Sequence, residues 1–407
     1  MAVRTAGFSA DRLALLDRVL KERYVDAGLL PGTLIQIWRR GELAHTALCG
    51  VVDTERQKPM HEDAIFRIYS MTKPVVGVAL LILMEEARIA LRDEVARYVP
   101  QFADLRVMTG GSVGAWETAP LKRPMRIIDL ATNTSGFVGA GDTLLCRVYA
   151  EQRIGDTETA GGLEAMVAQL AKLPLEFSPG ERWAYGDVST NVLGYIIETV
   201  SGMSLGAFLR SRIFEPLGMS DTGFSCPPEK LPRFASLYYA KGETFAFDAK
   251  DAMGRSPPKL ESGAGGLVST ASDYMRFCRM LLGSGSLEGT QIIAPKSAAM
   301  MRTNYLPGGR DMADLGGARF AGWNLGGEGQ SICAGTTINP VERLIPASAG
   351  DIFWAGAACT HFWVDPSEDL AAIFMAQVFD SPAFRAISGQ FRTLVYSAMT
   401  ESGARRT

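Results

Sequence analysis

Ser70-Met71-Thr72-Lys73 runs straight into Pro74-Val-Val-Gly-Val-Ala-Leu-Leu-Ile-Leu-Met84, and the reading of this stretch decides the rest. Proline is tolerated in the first turn of a helix, and the run after it is apolar almost all round, so a helix buried in a core is expected. Ser70 stands at its N-terminus, where the helix dipole and the unpaired N–H groups favour negative charge. Lys73, three residues on, falls on the same face. A serine hydroxyl needs a base, and a lysine one turn away can be that base or can hold another base deprotonated. An unpartnered lysine in such a wall would be costly, which favours a working pair over a capping serine beside a surface lysine.

Ser-x-x-Lys is a weak signal alone, and a second match exists at Ser256-Pro257-Pro258-Lys259, where two prolines forbid the helical turn that would bring the side chains together. The rival nucleophile is Ser204 in Gly202-Met203-Ser204-Leu205-Gly206. In a Gly-x-Ser-x-Gly hydrolase that serine follows a strand and its histidine comes late in the chain, where His361 stands. Here residues 188–200 have helical spacing, so the match reads as a helix-ending Gly202 and a capping Ser204.

Outward from the nucleophile, residues 9–28 have helical spacing, and Thr33 to Trp38 with Ala44 to Val52 flank a turn at Arg39-Arg40-Gly41-Glu42. Ile352 to Ala357, His361 to Val364 and Leu370 to Val378 are again β-rich, and a last helix runs from Pro382 to about Glu401. The middle turns to helices and long loops: Ile127 to Ala131, Leu163 to Lys172, Val188 to Val200, Leu205 to Ile213 and Ala271 to Leu282. Strands at both ends with helices between predict an α+β protein: an antiparallel sheet from N- and C-terminal segments, flanked by helices, with a mostly helical insertion. Residues 1–90 and 262–407 would form a discontinuous catalytic domain and 91–261 the helical one, with the ligand site in the crevice between them.

The chain has 407 residues, and its 41 Lys plus Arg against 44 Asp plus Glu leave a net charge of −3. Only Arg405 and Arg406 make a short basic tail, so nucleic-acid binding through a basic surface is not expected. The three histidines, His45, His61 and His361, lack partners at metal-ligand spacing, so neither a zinc site nor a histidine triad is expected. Six dispersed cysteines, an N-terminus without a signal-like apolar stretch and a longest apolar run too short for a bilayer predict a cytoplasmic protein without a membrane partner. The glycines at 263, 265 and 266 lack the lysine of a phosphate loop and read as a tight turn edging the cleft.

Phe66-Arg-Ile-Tyr-Ser70-Met-Thr-Lys73-Pro74, Leu130-Ala-Thr-Asn-Thr-Ser-Gly136, Pro179-Gly-Glu-Arg-Trp-Ala-Tyr185 with Asn191-Val-Leu-Gly194, Ser262-Gly-Ala-Gly-Gly-Leu-Val-Ser-Thr270, and Trp354-Ala-Gly-Ala357 followed by Phe362-Trp-Val-Asp-Pro366 resemble, in order, the landmarks of the family VIII carboxylesterases. These are relatives of class C β-lactamases and penicillin-binding proteins. The resemblance runs from about residue 10 to about residue 400 and implies a β-lactamase-like fold. It further implies a small-molecule ester as partner, no cofactor, Ser70 as the acylated nucleophile and Lys73 and Tyr185 as its acid/base pair. Trp354, Ala355 and Gly356 would line the substrate on the strand that carries Lys-Thr-Gly in β-lactamases. The N–H groups of Ser70 and Ala357 would form the oxyanion hole, worth ~3–4 kcal/mol per donor. Free tyrosine and lysine are almost wholly protonated at neutral pH, so a pair in which each tunes the other is the coherent arrangement. We favour Tyr185 as base in acylation and acid toward the leaving alcohol, while the residues alone leave open which of the two takes the Ser70 proton.

The chain departs from the pattern of this family or of its β-lactamase relatives in four places. Asn133 stands where many relatives have histidine; it can bond to substrate but cannot titrate. Asp187 stands where class C β-lactamases have the Asn of Tyr-x-Asn, and a carboxylate there would repel the carboxylate of a β-lactam. Trp354, as in the Trp-Gly-Gly of many esterases, stands in place of the β-lactamase lysine that would attract the same group, and Ala355 replaces the first glycine of that Trp-Gly-Gly and would narrow the acyl site. The expectation is a carboxylesterase for short to medium acyl chains, acting through an acyl-enzyme. Alternatives are an acyltransferase or amide hydrolase on the same scaffold, then a β-lactamase or D,D-peptidase, and last a non-catalytic binding protein.

Overall fold

The computed structural model describes residues 6–139, 141–248, 252–316 and 325–403, so the basic tail at Arg405 and Arg406 and the opening Met1 to Thr5 lie outside the described residues. The N-terminal helix α1 (Ala10–Leu20), capped by Ser9 and continued by a wider turn over Lys21–Val25, leads into the hairpin β1 (Gly32–Arg39) and β2 (Glu42–Asp53). Arg40 and Gly41 both have positive φ, 54° and 84°, which suits a two-residue turn that keeps the twist of the two strands. A short β3 (Lys58–Pro59) follows. The C-terminal part supplies β4 (Glu328–Gln330), β5 (Gly335–Thr337), β6 (Ile352–Gly356), β7 (Thr360–Asp365) and β8 (Leu370–Met375). The spatial order is β4-β5-β6-β7-β8-β1-β2-β3, antiparallel throughout, with Leu34 opposite Met375 and Leu48.

Both faces of this sheet are covered. Leu34, Phe362, Val364 and Ile373 face one apolar cluster, which includes helices α2 (Thr72–Glu85) and α5 (Ala271–Leu282), here numbered after α3 (Ile127–Ala131) and α4 (Val188–Ser201). Ile35, Trp363, Ala372 and Phe374 face another with α1 and the last helix, α6 (Phe384–Ala398). Burial on both faces explains why these strands read as nearly continuous apolar runs rather than as alternation. The first cluster continues through α2 into the helical middle of the chain, taking in Leu163, Met166, Val192 and Ile196.

Helix α2 is buried from Thr72 to Leu83, as its composition demands. Gly77 interrupts the bulky run for a reason of space: a β-carbon there would lie 2.6 Å from the Ile332 carbonyl oxygen of the turn packed on the helix. Several elements differ from expectation. The middle of the chain, expected to hold helices and long loops, also contains the hairpins Arg106–Ser112 with Ala115–Pro120 and Tyr238–Lys241 with Thr244–Phe247. Apart from the buried Tyr238 their side chains are exposed or half-buried, so no strong apolar alternation marks them. The last β-rich run breaks after Met375, and Val378–Phe379 pairs instead, in parallel, with Tyr238 and Tyr239. No single helix among the described residues is long and apolar enough to cross a membrane.

Candidate active site

The nucleophile turn is built before its chemistry is. Ile68 N–H donates to Leu267 O at 3.1 Å and the buried Tyr274 hydroxyl donates to Met71 O at 2.8 Å, tying both sides of Ser70 to the sheet-side core. Tyr69 takes φ of 43°, a left-handed conformation that costs a non-glycine residue about 1 kcal/mol or more. A single 3-10 turn, Tyr69–Met71, then passes into α2, which leaves Ser70 at the helix mouth and Lys73 just inside it.

Three groups converge on the serine. Lys73 Nζ donates to Ser70 Oγ at 3.0 Å, and the Tyr185 hydroxyl donates to the same oxygen at 2.8 Å. The ammonium lies 4.9 Å from the centre of the Tyr185 ring. Lys73, only 1% exposed, also donates to Ala264 O at 2.9 Å and to Asp187 Oδ1 at 2.6 Å. Burial alone pushes the lysine down, but the Asp187 carboxylate, followed by Tyr185, outweighs it and holds the ammonium above its ordinary range.

The Ala264 carbonyl is aimed by a residue to which the sequence reading gave no role. Asn191, buried on α4, accepts at Oδ1 from Ala264 N–H and from Ser262 Oγ, both at 3.0 Å, and so fixes the glycine-rich turn against Lys73. That turn, 262–266, was expected to edge the cleft; none of its residues lines the cavity, and Gly265 packs on Tyr69.

On the far side of Ser70, β6 delivers Ala357. Gly356 comes so close to Ile68 that an added β-carbon would land on the Ile68 carbonyl oxygen and on Thr360 Oγ1. Ala357, the next residue, lines a cavity of ≈ 580 Å³ together with Ser70, Tyr185, Trp354 and Ala355. One wall is aromatic, with Tyr185 centred 6.2 Å from Trp183 and 5.7 Å from Trp354. Met312 and Leu325 continue it.

Three sequence-designated residues sit elsewhere than expected, and the first, Gly356, packs on Ile68 rather than lining the cavity. Asn133 does not line the cavity: it is buried behind the tyrosine loop with φ of 55°, and its carbonyl accepts from Ala184 N–H at 2.9 Å. Asp187 does not line it either, since its carboxylate turns to Lys73. Ser204 caps the helix Leu205–Leu209 by accepting from Ala207 N–H, and Gly202 ends α4 in a left-handed conformation. His45 and His61 bond to Asp17 and Asp63. His361 reaches the cavity wall as a buried ring stacked on Phe384, and burial pushes it down to about 3.

The fold defines the class, a serine hydrolase of the β-lactamase and penicillin-binding-protein type. The Beta-lactamase family model matches residues 17–396, and the chain belongs to that family. It is 34% identical over 358 residues to an uncharacterised protein of Mycobacterium tuberculosis (strain CDC 1551 / Oshkosh), covering 86% of this chain and 87% of the other. It is 28% identical over 411 residues to Esterase EstB of Burkholderia gladioli, covering 94% and 93%. Among solved structures, EstCE1, a hydrolase with promiscuous acyltransferase activity, superposes with a TM-score of 0.78 at 21% identity, covering 96% of this chain and 99% of the other. The resemblance to family VIII carboxylesterases is borne out at the level of family and fold.

Proposed function

We propose that this protein hydrolyses carboxylic esters of short to medium acyl chains through an acyl-enzyme on Ser70. The observation that carries this reading is the shared Ser70 oxygen, within hydrogen-bond reach of both Lys73 Nζ and the Tyr185 hydroxyl at the mouth of an aromatic cavity. Tyr185, as phenolate, takes the Ser70 proton while Oγ attacks the ester carbonyl. The adjacent Lys73 ammonium stabilises the negative charge that the phenol oxygen must carry. The tetrahedral oxyanion is received by the N–H groups of Ser70 and Ala357, and its collapse expels the alcohol, protonated by Tyr185. Water, deprotonated by the same tyrosine, then releases the acid.

Neutral esters suit the site better than β-lactams. Asp187 offsets the charge of Lys73, and Trp354 presents a ring where a cation would hold a substrate carboxylate. The test is a panel of p-nitrophenyl esters of increasing chain length beside a chromogenic cephalosporin, with a phosphonate adduct located by mass spectrometry. Turnover of the esters and label on Ser70 are expected; label on Ser204, or turnover of the cephalosporin alone, overturns the reading. The size of the cavity favours a second reading, transfer of the acyl group to an alcohol, in keeping with the activity named for EstCE1. A rising ratio of new ester to free acid as an alcohol is added would reveal it.

A further inference from the structure

We propose that Asp187 is a positioning residue that keeps Lys73 an ammonium, so that the proton of Ser70 is exchanged with Tyr185 alone. The inference deepens the ester reading and rests on it for the identity of the nucleophile. Lys73 Nζ donates to Ser70 Oγ, Ala264 O and Asp187 Oδ1. Two of them, a carbonyl and a carboxylate, can only accept. The two partners also differ in burial. Asp187 is 66% exposed, whereas Lys73 at 1% exposed has lost its water and leans on that carboxylate first, then on Tyr185, for its charge.

Among the remaining groups around the amine, Tyr185 also favours the ammonium, second to Asp187. Tyr185 comes from the same loop as Asp187 and already faces Ser70 Oγ. From the turn packed on α2, Cys333 is pushed up to about 12, first by burial, and stays a neutral thiol. Ser70 and Ala264 present uncharged oxygens. An asparagine at position 187, as in class C β-lactamases, would hold the amine by a hydrogen bond but not by charge.

The sign of the pH response separates the alternatives. Without the carboxylate, burial favours the neutral amine, so Lys73 loses its proton at lower pH. If turnover needs the ammonium, the alkaline limb of kcat/KM falls in the same direction; if Lys73 were the base, the acid limb would fall instead and the neutral-pH rate would rise. The experiment records kcat/KM against pH with p-nitrophenyl butyrate for the wild type, Asp187→Asn and Asp187→Glu. We expect the alkaline limb of Asp187→Asn to move down by about 1–3 pH units, with the charge-retaining Asp187→Glu close to wild type. An unmoved profile, or a gain in rate at neutral pH, overturns the proposal. A second test on the wild type needs no activity. In protein with 13C-labelled lysine, the Lys73 Cε resonance, assigned through Lys73→Arg, should keep its ammonium shift at about pH 9, and a neutral-amine shift there overturns the proposal. A wild type that turns over no ester defeats the ester reading while leaving this resonance to judge Asp187.

Discussion

Tyr185 carries the sharpest prediction at the scale of single residues, because its hydroxyl is the group proposed to move the proton. Tyr185→Phe should lower kcat by about 10²–10⁴-fold with little change in KM, and near-normal acylation by that variant in a stopped-flow burst would exclude the role. Asn191 acts one step back. Asn191→Ala leaves the buried Ala264 N–H without its acceptor, at about 1–3 kcal/mol, and should lower both the melting temperature and kcat. The two predictions mark the limit of what the sequence discloses about the site. Ser70 and Lys73 were legible because one helical turn joins them, and Tyr185 because it stands in an ordered series of motifs. The partners of Lys73 were not, since Asp187 and Ala264 approach from distant segments and one of them offers only its backbone. Asn133 was misplaced for a related reason: its polar side chain suggested a substrate contact, whereas its backbone braces the tyrosine loop.

Among elements, β6 and the nucleophile turn are locked by close approach rather than by side chains. Gly356→Ala would force the new methyl into the Ile68 carbonyl, and we expect a loss of about 1–3 kcal/mol measured by thermal melting, with a fall in kcat as Ala357 is displaced from Ser70. Unchanged melting and activity would show that the strand can yield. Helix α2 and the strands β7 and β8 were readable from composition because they are buried on all sides and need apolar residues almost throughout, whereas the short polar β4 and β5 were not. The two hairpins were not, because strands that bury so few of their side chains leave little pattern in the sequence.

At the scale of the whole molecule, His361 links acidity to stability. Held neutral by burial, with its folded value near 3 against 6.5 ordinarily, it cannot take the proton that the unfolded chain binds as pH falls below 6.5. Stability is therefore lost on acidification across that window, by about 2 kcal/mol between pH 7 and pH 5 at 1.36 kcal/mol per unit. His361→Phe should show a smaller drop in melting temperature over the same interval than the wild type does; an equal drop would assign the acid sensitivity to other groups. The sheet itself has a further consequence, since β1 lies between β2 and β8 and its partner Met375 is made 341 residues after Leu34. During synthesis, Ser70 and Lys73 leave the ribosome long before β6 brings Ala357 to them. On the proposed mechanism the growing chain thus carries its nucleophile before the oxyanion site is built, and reactivity awaits the last strands that close the sheet.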